Sequence, residues 1–95
     1  MLNAPERKVL KARAHKLDPV VLIGAKGLTD VVVKEIDLAL KSHELIKVRA
    51  ATLDRDAREA ALREICSRTG AQVVQAVGKI FVLYRKKPDA DLERN

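Results

Sequence analysis

The chain has no tryptophan, one phenylalanine, one tyrosine and one cysteine among 95 residues. With so few aromatics it cannot build the stacking platform on which single-stranded nucleic acids are usually read. A lone Cys66 excludes an internal disulfide and a cysteine-rich zinc cluster. Glycine and proline number only four and three, which rules out collagen-like or Pro/Gly-rich disordered chains. No apolar run reaches the ~18–20 residues of a membrane span. Residues 1–16 lack the uninterrupted core of a signal peptide. These absences lead us to expect one cytoplasmic domain over residues 1–95, with an ordered core over about 5–86 and a tail over 87–95.

What is present is positive charge. Nineteen Lys and Arg against thirteen Asp and Glu leave a net +6, and an excess of this kind suits a polyanionic partner. With almost nothing to stack on bases, the chain would have to hold nucleic acid by phosphate and shape.

The chain reads as alternating helix and strand. Asn3, Pro5 and Glu6 form a helix start with a capping box. This first helix should end near His15, with Leu10, Ala14 and Leu17 on one face and Lys8, Lys11 and His15 opposite. The run Val20-Val21-Leu22-Ile23 reads as a strand buried on both faces. Thr29 caps a second helix with Val32, Val33, Ile36, Ala39 and Leu40 inward. Val31 and Leu38 lie off that stripe, suggesting a second neighbour such as the first helix. The alternation from Glu44 to Ala51 is a strand with Ile46, Val48 and Ala50 on its core side, parallel to the first through a crossover. Asp54 opens a third helix with Ala61, Leu62, Ile65 and Cys66 inward and pairs Glu59–Arg63 and Glu64–Arg68 outward, and Gly70 ends it. Gln72–Val77 and Ile80–Tyr84 then make an antiparallel hairpin about Gly78-Lys79. The predicted fold is α/β: a compact αβαβαββ domain with a mixed four-stranded sheet. The second and third helices share one of its faces.

Catalytic chemistry finds little support. Two Ser, three Thr, two His and Cys66 form no nucleophile, metal or phosphate-loop motif, and His15 and His43 lie at helix ends. We therefore expect no catalytic residue, metal, cofactor or small-molecule substrate. The loop Gly24-Ala25-Lys26-Gly27 carries more content. Its glycines permit positive φ and close backbone approach, Lys26 adds a charge, and the helix starting at Thr29 directs free N–H groups the same way. Such a cradle suits a sugar-phosphate backbone, as the GXXG loop does in KH domains. Arg7, Lys8 and Lys11 on the first helix and Lys47 and Arg49 on the second strand extend the candidate basic surface.

Read together, Leu17-Asp18-Pro19-Val20-Val21-Leu22-Ile23-Gly24, Gly27-Leu28-Thr29 and His43-Glu44-Leu45-Ile46-Lys47-Val48 resemble the CRM domain, the chloroplast RNA splicing and ribosome maturation family. So do Thr69-Gly70-Ala71, Gln75-Ala76-Val77-Gly78-Lys79 and Leu83-Tyr84-Arg85. The resemblance spans about residues 5–86 and points to its bacterial single-domain, YhbY-like form. It implies an RNA-binding domain with a fold similar to the C-terminal domain of translation initiation factor three. Bacterial members are associated with precursors of the large ribosomal subunit, and plant multi-domain relatives with group II intron splicing. The family's RNA-contacting loop falls on Gly24, Ala25, Lys26 and Gly27. The expectation is a monomeric protein that binds ribosomal RNA and assists large-subunit assembly. The competing expectation is a protein-interaction module using Val31 and Leu38, whose charge serves solubility.

Overall fold

The computed structural model describes residues 2–87. Its elements run α1 (Ala4–Ala14), β1 (Pro19–Leu22), α2 (Asp30–His43), β2 (Leu45–Arg49), α3 (Arg55–Thr69), β3 (Gln72–Val77) and β4 (Ile80–Tyr84). The expected tail, apart from Lys87, lies outside the described residues. The strands form one sheet in the order β1-β2-β4-β3, with β1 parallel to β2 and the other pairs antiparallel. The mixed αβαβαββ architecture is the one the sequence predicts.

Local chemistry sets the helix boundaries. Asn3 Oδ1 accepts the Glu6 N–H at 2.8 Å and Glu6 Oε1 accepts the Asn3 N–H at 3.1 Å, closing the capping box of α1. Thr29 Oγ1 accepts from Val32 N–H at 3.2 Å, and Asp54 Oδ1 from Ala57 N–H at 2.8 Å. Each cap satisfies an N–H that the helix itself leaves unpaired. Gly70 closes α3 at φ 75°, in the left-handed region.

Two cores sit on opposite faces of the sheet. On one, Ile36 and Leu40 of α2 and Ile65 of α3 meet Ile46, Val48, Phe81 and Leu83. On the other, Leu10 and Ala14 of α1 pack on Leu45, Val74 and Val82. The short helix covers only part of that face.

That partial cover overturns several expectations. β1 is buried on one side only: Val21 is in the core, whereas Val20 and Leu22 are exposed. In an all-apolar run the alternation of faces has no signature, and β1 lies at the sheet edge beyond the reach of α1. Leu17 is exposed, because α1 ends at Ala14 and the chain has turned away. Val31 and Leu38 remain exposed and are not covered by α1, which packs on the opposite face of the sheet. Glu59 pairs back to Arg55 at 3.6 Å instead of forward to Arg63, while the expected Glu64–Arg68 pair forms at 3.4 Å.

Arg85, just after β4, ties the two helices of the first core together. Its Nη1 donates to Asp37 Oδ1 at 2.6 Å and to the Thr69 carbonyl at 2.7 Å, and its Nη2 donates to the Asp37 carbonyl at 3.1 Å. The Arg85 hydrogen bond holds the Asp37 carboxyl below its ordinary range, against the opposing effect of burial. A carboxylate with a lowered folded-state pKa adds stability above its unfolded value of ~3.9, and that stability is lost as pH falls through the folded pKa. Arg85→Ala should therefore cost about 1–3 kcal/mol at neutral pH. The gap from wild type should narrow below a pH of about 4, as denaturant unfolding on either side of that value can show.

Candidate nucleic-acid interface

One end of the sheet gathers the residues that chemistry singles out. β1 and β2 run parallel, so their C-terminal ends lie side by side. Arg49 pairs with Ile80 and Ile80 with Val77, which brings the Gly78-Lys79 turn to the same end. Hydrogen bonds fasten these connections: Ile23 N–H donates to the Arg49 carbonyl at 2.8 Å and Ala50 N–H to the Lys79 carbonyl at 2.7 Å. Thr52 Oγ1 donates to the Ile23 carbonyl at 3.1 Å. The loop Gly24–Gly27 springs from this scaffold, with Gly24, Ala25 and Lys26 exposed.

Within the loop, Gly27 N–H donates to the Gly24 carbonyl at 3.0 Å, closing a tight turn. Only Gly27 takes positive φ, at 76°, so the expectation of this role for both glycines is corrected. A Cβ on Gly24 would meet nothing within 4 Å. Gly24→Ala should thus change stability by less than ~0.5 kcal/mol, and Gly27→Val should cost about 1–3 kcal/mol through backbone strain. Thermal unfolding of the two variants reads this asymmetry. The end of α2 contributes less positive potential than its dipole alone suggests. Thr29 caps it, and Asp30 adds a negative charge in its first turn. Lys26 is the full cation of the loop.

Beside α1 runs an open groove lined by Lys11 and His15 of the helix end, Lys47 of β2, and Val77 and Ile80 of the hairpin, with no acidic side chain. Lys11 and His15 therefore flank the helix's packed edge, correcting their expected place opposite Leu10 and Ala14. Arg49, two residues beyond Lys47, shares its side of β2 and is exposed. The structure thus brings Lys11, Lys47 and Arg49 together. Lys8 is exposed on α1. Arg7 is engaged elsewhere: its Nη1 donates to the Val73 carbonyl of β3 at 3.1 Å. Two basic residues at this end, Lys79 and His15, escaped the sequence reading as interface candidates. Lys79 was legible from its turn, once β4 is known to pair with β2.

Ion pairing is concentrated on the α2 and α3 face, although Lys34, Arg58 and Arg63 there enter no ion pair among the described residues. The ion pairs Lys41–Asp37, Arg55–Glu59, Arg68–Asp30, Arg68–Glu64 and Arg85–Asp37 all involve α2, α3 or the segment after β4. Among the described residues, Lys11, Lys26, Lys47, Arg49 and Lys79 enter no ion pair. Their charges are available to a ligand. Cys66 is half-buried on α3 and burial pushes its thiol pKa up, away from nucleophilic use. No cluster of three or more His, Cys, Asp or Glu suited to a metal occurs among the described residues.

Comparison with known proteins places this geometry in a family. Residues 2–85 match the model of the CRS1/YhbY (CRM) domain. An RNA-binding protein of Haemophilus influenzae is 42% identical, covering 97% of this chain and 93% of its own. A protein of Pseudomonas aeruginosa, named a probable RNA-binding protein, is 41% identical over 92% of this chain and 84% of its own. The solution structure of a Staphylococcus aureus protein, described as a candidate RNA binder, superposes with a TM-score of 0.79 at 31% identity. It covers 92% of this chain and 91% of that one. Sequence, topology and these likenesses agree: the chain belongs to the CRS1/YhbY (CRM) domain family.

Proposed function

We propose that this chain is a non-enzymatic RNA-binding protein that holds structured RNA by its phosphates and shape. The carrying observation is the gathering of five cations outside ion pairs at the end of the sheet that bears the Gly24–Gly27 loop, beside a groove with no acidic side chain. Lys26 and the loop backbone approach the sugar-phosphate chain. Lys11, Lys47, Arg49 and Lys79 supply further phosphate contacts, and Lys8 contributes from the margin, while Arg7 fastens α1 to β3 through the Val73 carbonyl. Phosphate contacts of this kind fix position and carry little sequence information. The names of the relatives from Haemophilus and Pseudomonas support RNA as the ligand.

The finer reading is that the protein acts as a monomer in the cytoplasm on ribosomal RNA of large-subunit precursors and assists their assembly. Crosslinking in cells, followed by sequencing of the attached RNA, tests it. Large-subunit ribosomal fragments should be enriched, and their absence would contradict the assembly role while leaving RNA binding intact. A protein-interaction role has one observation in its favour: Val31 and Leu38 of α2 are 66% and 61% exposed. Loss of the cellular partner on replacing these two residues, with RNA affinity unchanged, would favour it.

A further inference from the structure

The basic end of the sheet has a second component besides charge. Strand register lines up Leu22, Arg49, Ile80 and Val77, one from each strand, in a row across the face that α1 leaves open. Leu22 and Val77 are 64% and 58% exposed, and Val20, on the same side of β1 as Leu22, is 52% exposed. Strands lie about 4.8 Å apart, so the row spans about 14 Å. Single exposed aliphatic residues are ordinary, but here Leu22 and Val77 lie at the two ends of one row, with Arg49 and the half-buried Ile80 between them.

Charge complementarity names the occupant. Arg49 stands within the row, and Lys11, His15 and Lys47 line the adjoining groove, which has no acidic side chain. An apolar protein partner would leave Lys11, Lys47 and Arg49 buried without partners, whereas a nucleic acid supplies phosphates to them. The row holds no aromatic ring. Phe81 is buried on the opposite face, and Tyr84 lies further along β4, beside Leu2 and Val9. Unstacked bases would find no platform here. What a flat aliphatic row does fit is the face of a sugar, and the wide, shallow minor groove of A-form RNA displays ribose along its length.

We propose that the Leu22–Arg49–Ile80–Val77 row is a ribose-contacting floor on which the minor groove of double-helical RNA lies, with Arg49 and Lys47 reaching the flanking phosphates. The inference rests on the RNA-binding reading and adds to it the class of RNA. Apolar and ionic contacts leave different marks on salt dependence, and this separates them.

The test measures affinity for a blunt RNA duplex and for an unstructured single strand of equal charge, over a series of salt concentrations. Wild type should prefer the duplex. The double variant Leu22→Thr with Val77→Thr places β-branched, strand-compatible side chains on both strands. It should lose about tenfold in duplex affinity through lost apolar burial, with an unchanged slope of log affinity against log salt. Arg49→Ala should instead lower that slope by about 0.7–0.9. Circular dichroism and thermal unfolding establish that the variants are folded, and Leu22→Ser alone serves should the double variant unfold. Unchanged duplex affinity in a folded variant would overturn the floor, as would a wild-type preference for the single strand. A wild type that binds neither RNA would remove the RNA-binding reading as well.

Discussion

Reversing the charge of Lys47 and Arg49 together should nearly abolish RNA binding. Each Lys or Arg that neutralises a phosphate releases a counterion, and each reversal also adds repulsion where attraction stood. At a salt concentration of ~0.1 M the combined loss should be on the order of a hundredfold. Stability should move little, by less than about 1 kcal/mol, because Arg49 is exposed and Lys47 faces the open groove. Arg63→Glu with Arg68→Glu is the matching control on α3. It makes the same change of charge on the face that carries the ion pairs, and breaks those of Arg68 with Asp30 and Glu64. Filter binding or fluorescence anisotropy of the two doubles at equal salt decides the matter. Equal losses would mean that net charge alone governs binding and that the location of the cations is immaterial.

The second large effect concerns the support beneath the interface. Phe81 is 1% exposed and stands on β4, between Val48 of β2 and Ala76 of β3. Phe81→Ala should destabilise the protein by about 3–5 kcal/mol, from lost burial and the cavity left behind. Against a total stability of roughly 5–15 kcal/mol for proteins generally, that is a large share. Denaturant unfolding checks it, and Phe81→Leu should recover more than half of the loss by refilling the space. RNA affinity should fall with the population of folded protein and no further, because Phe81 faces away from the interface.

Local signals were the legible ones. The caps at Asn3, Thr29 and Asp54 and the glycine at Gly70 each depend on neighbours within a few residues. The hairpin about Gly78-Lys79 likewise follows from the strands on either side of its turn, and the βαβ crossover from their spacing. What pattern alone could not reveal was tertiary. The docking of α1 on the face opposite α2 and α3 decides which of Val20, Leu22, Leu17, Val31 and Leu38 remain exposed. The candidate site divided in the same way. The Gly24–Gly27 loop is contiguous in sequence and could be found there. The meeting of Lys11, Lys47 and Lys79 depends on helix docking and on the pairing of β2 with β4. Charge pairing is still less legible. Glu59 had an arginine four residues away in either direction, and the structure pairs it with Arg55.

The central claim is that cations gathered at one end of the sheet hold the RNA backbone. Its most direct measurement is the salt dependence of wild-type affinity for a structured RNA. If Lys11, Lys26, Lys47, Arg49 and Lys79 each neutralise a phosphate, log affinity should fall against log salt with a slope of about −3.5 to −4.5. The slope should become shallower by about 0.7–0.9 when Lys26 is replaced by alanine. A slope near zero, or one unchanged by removing these side chains one at a time, would contradict the account.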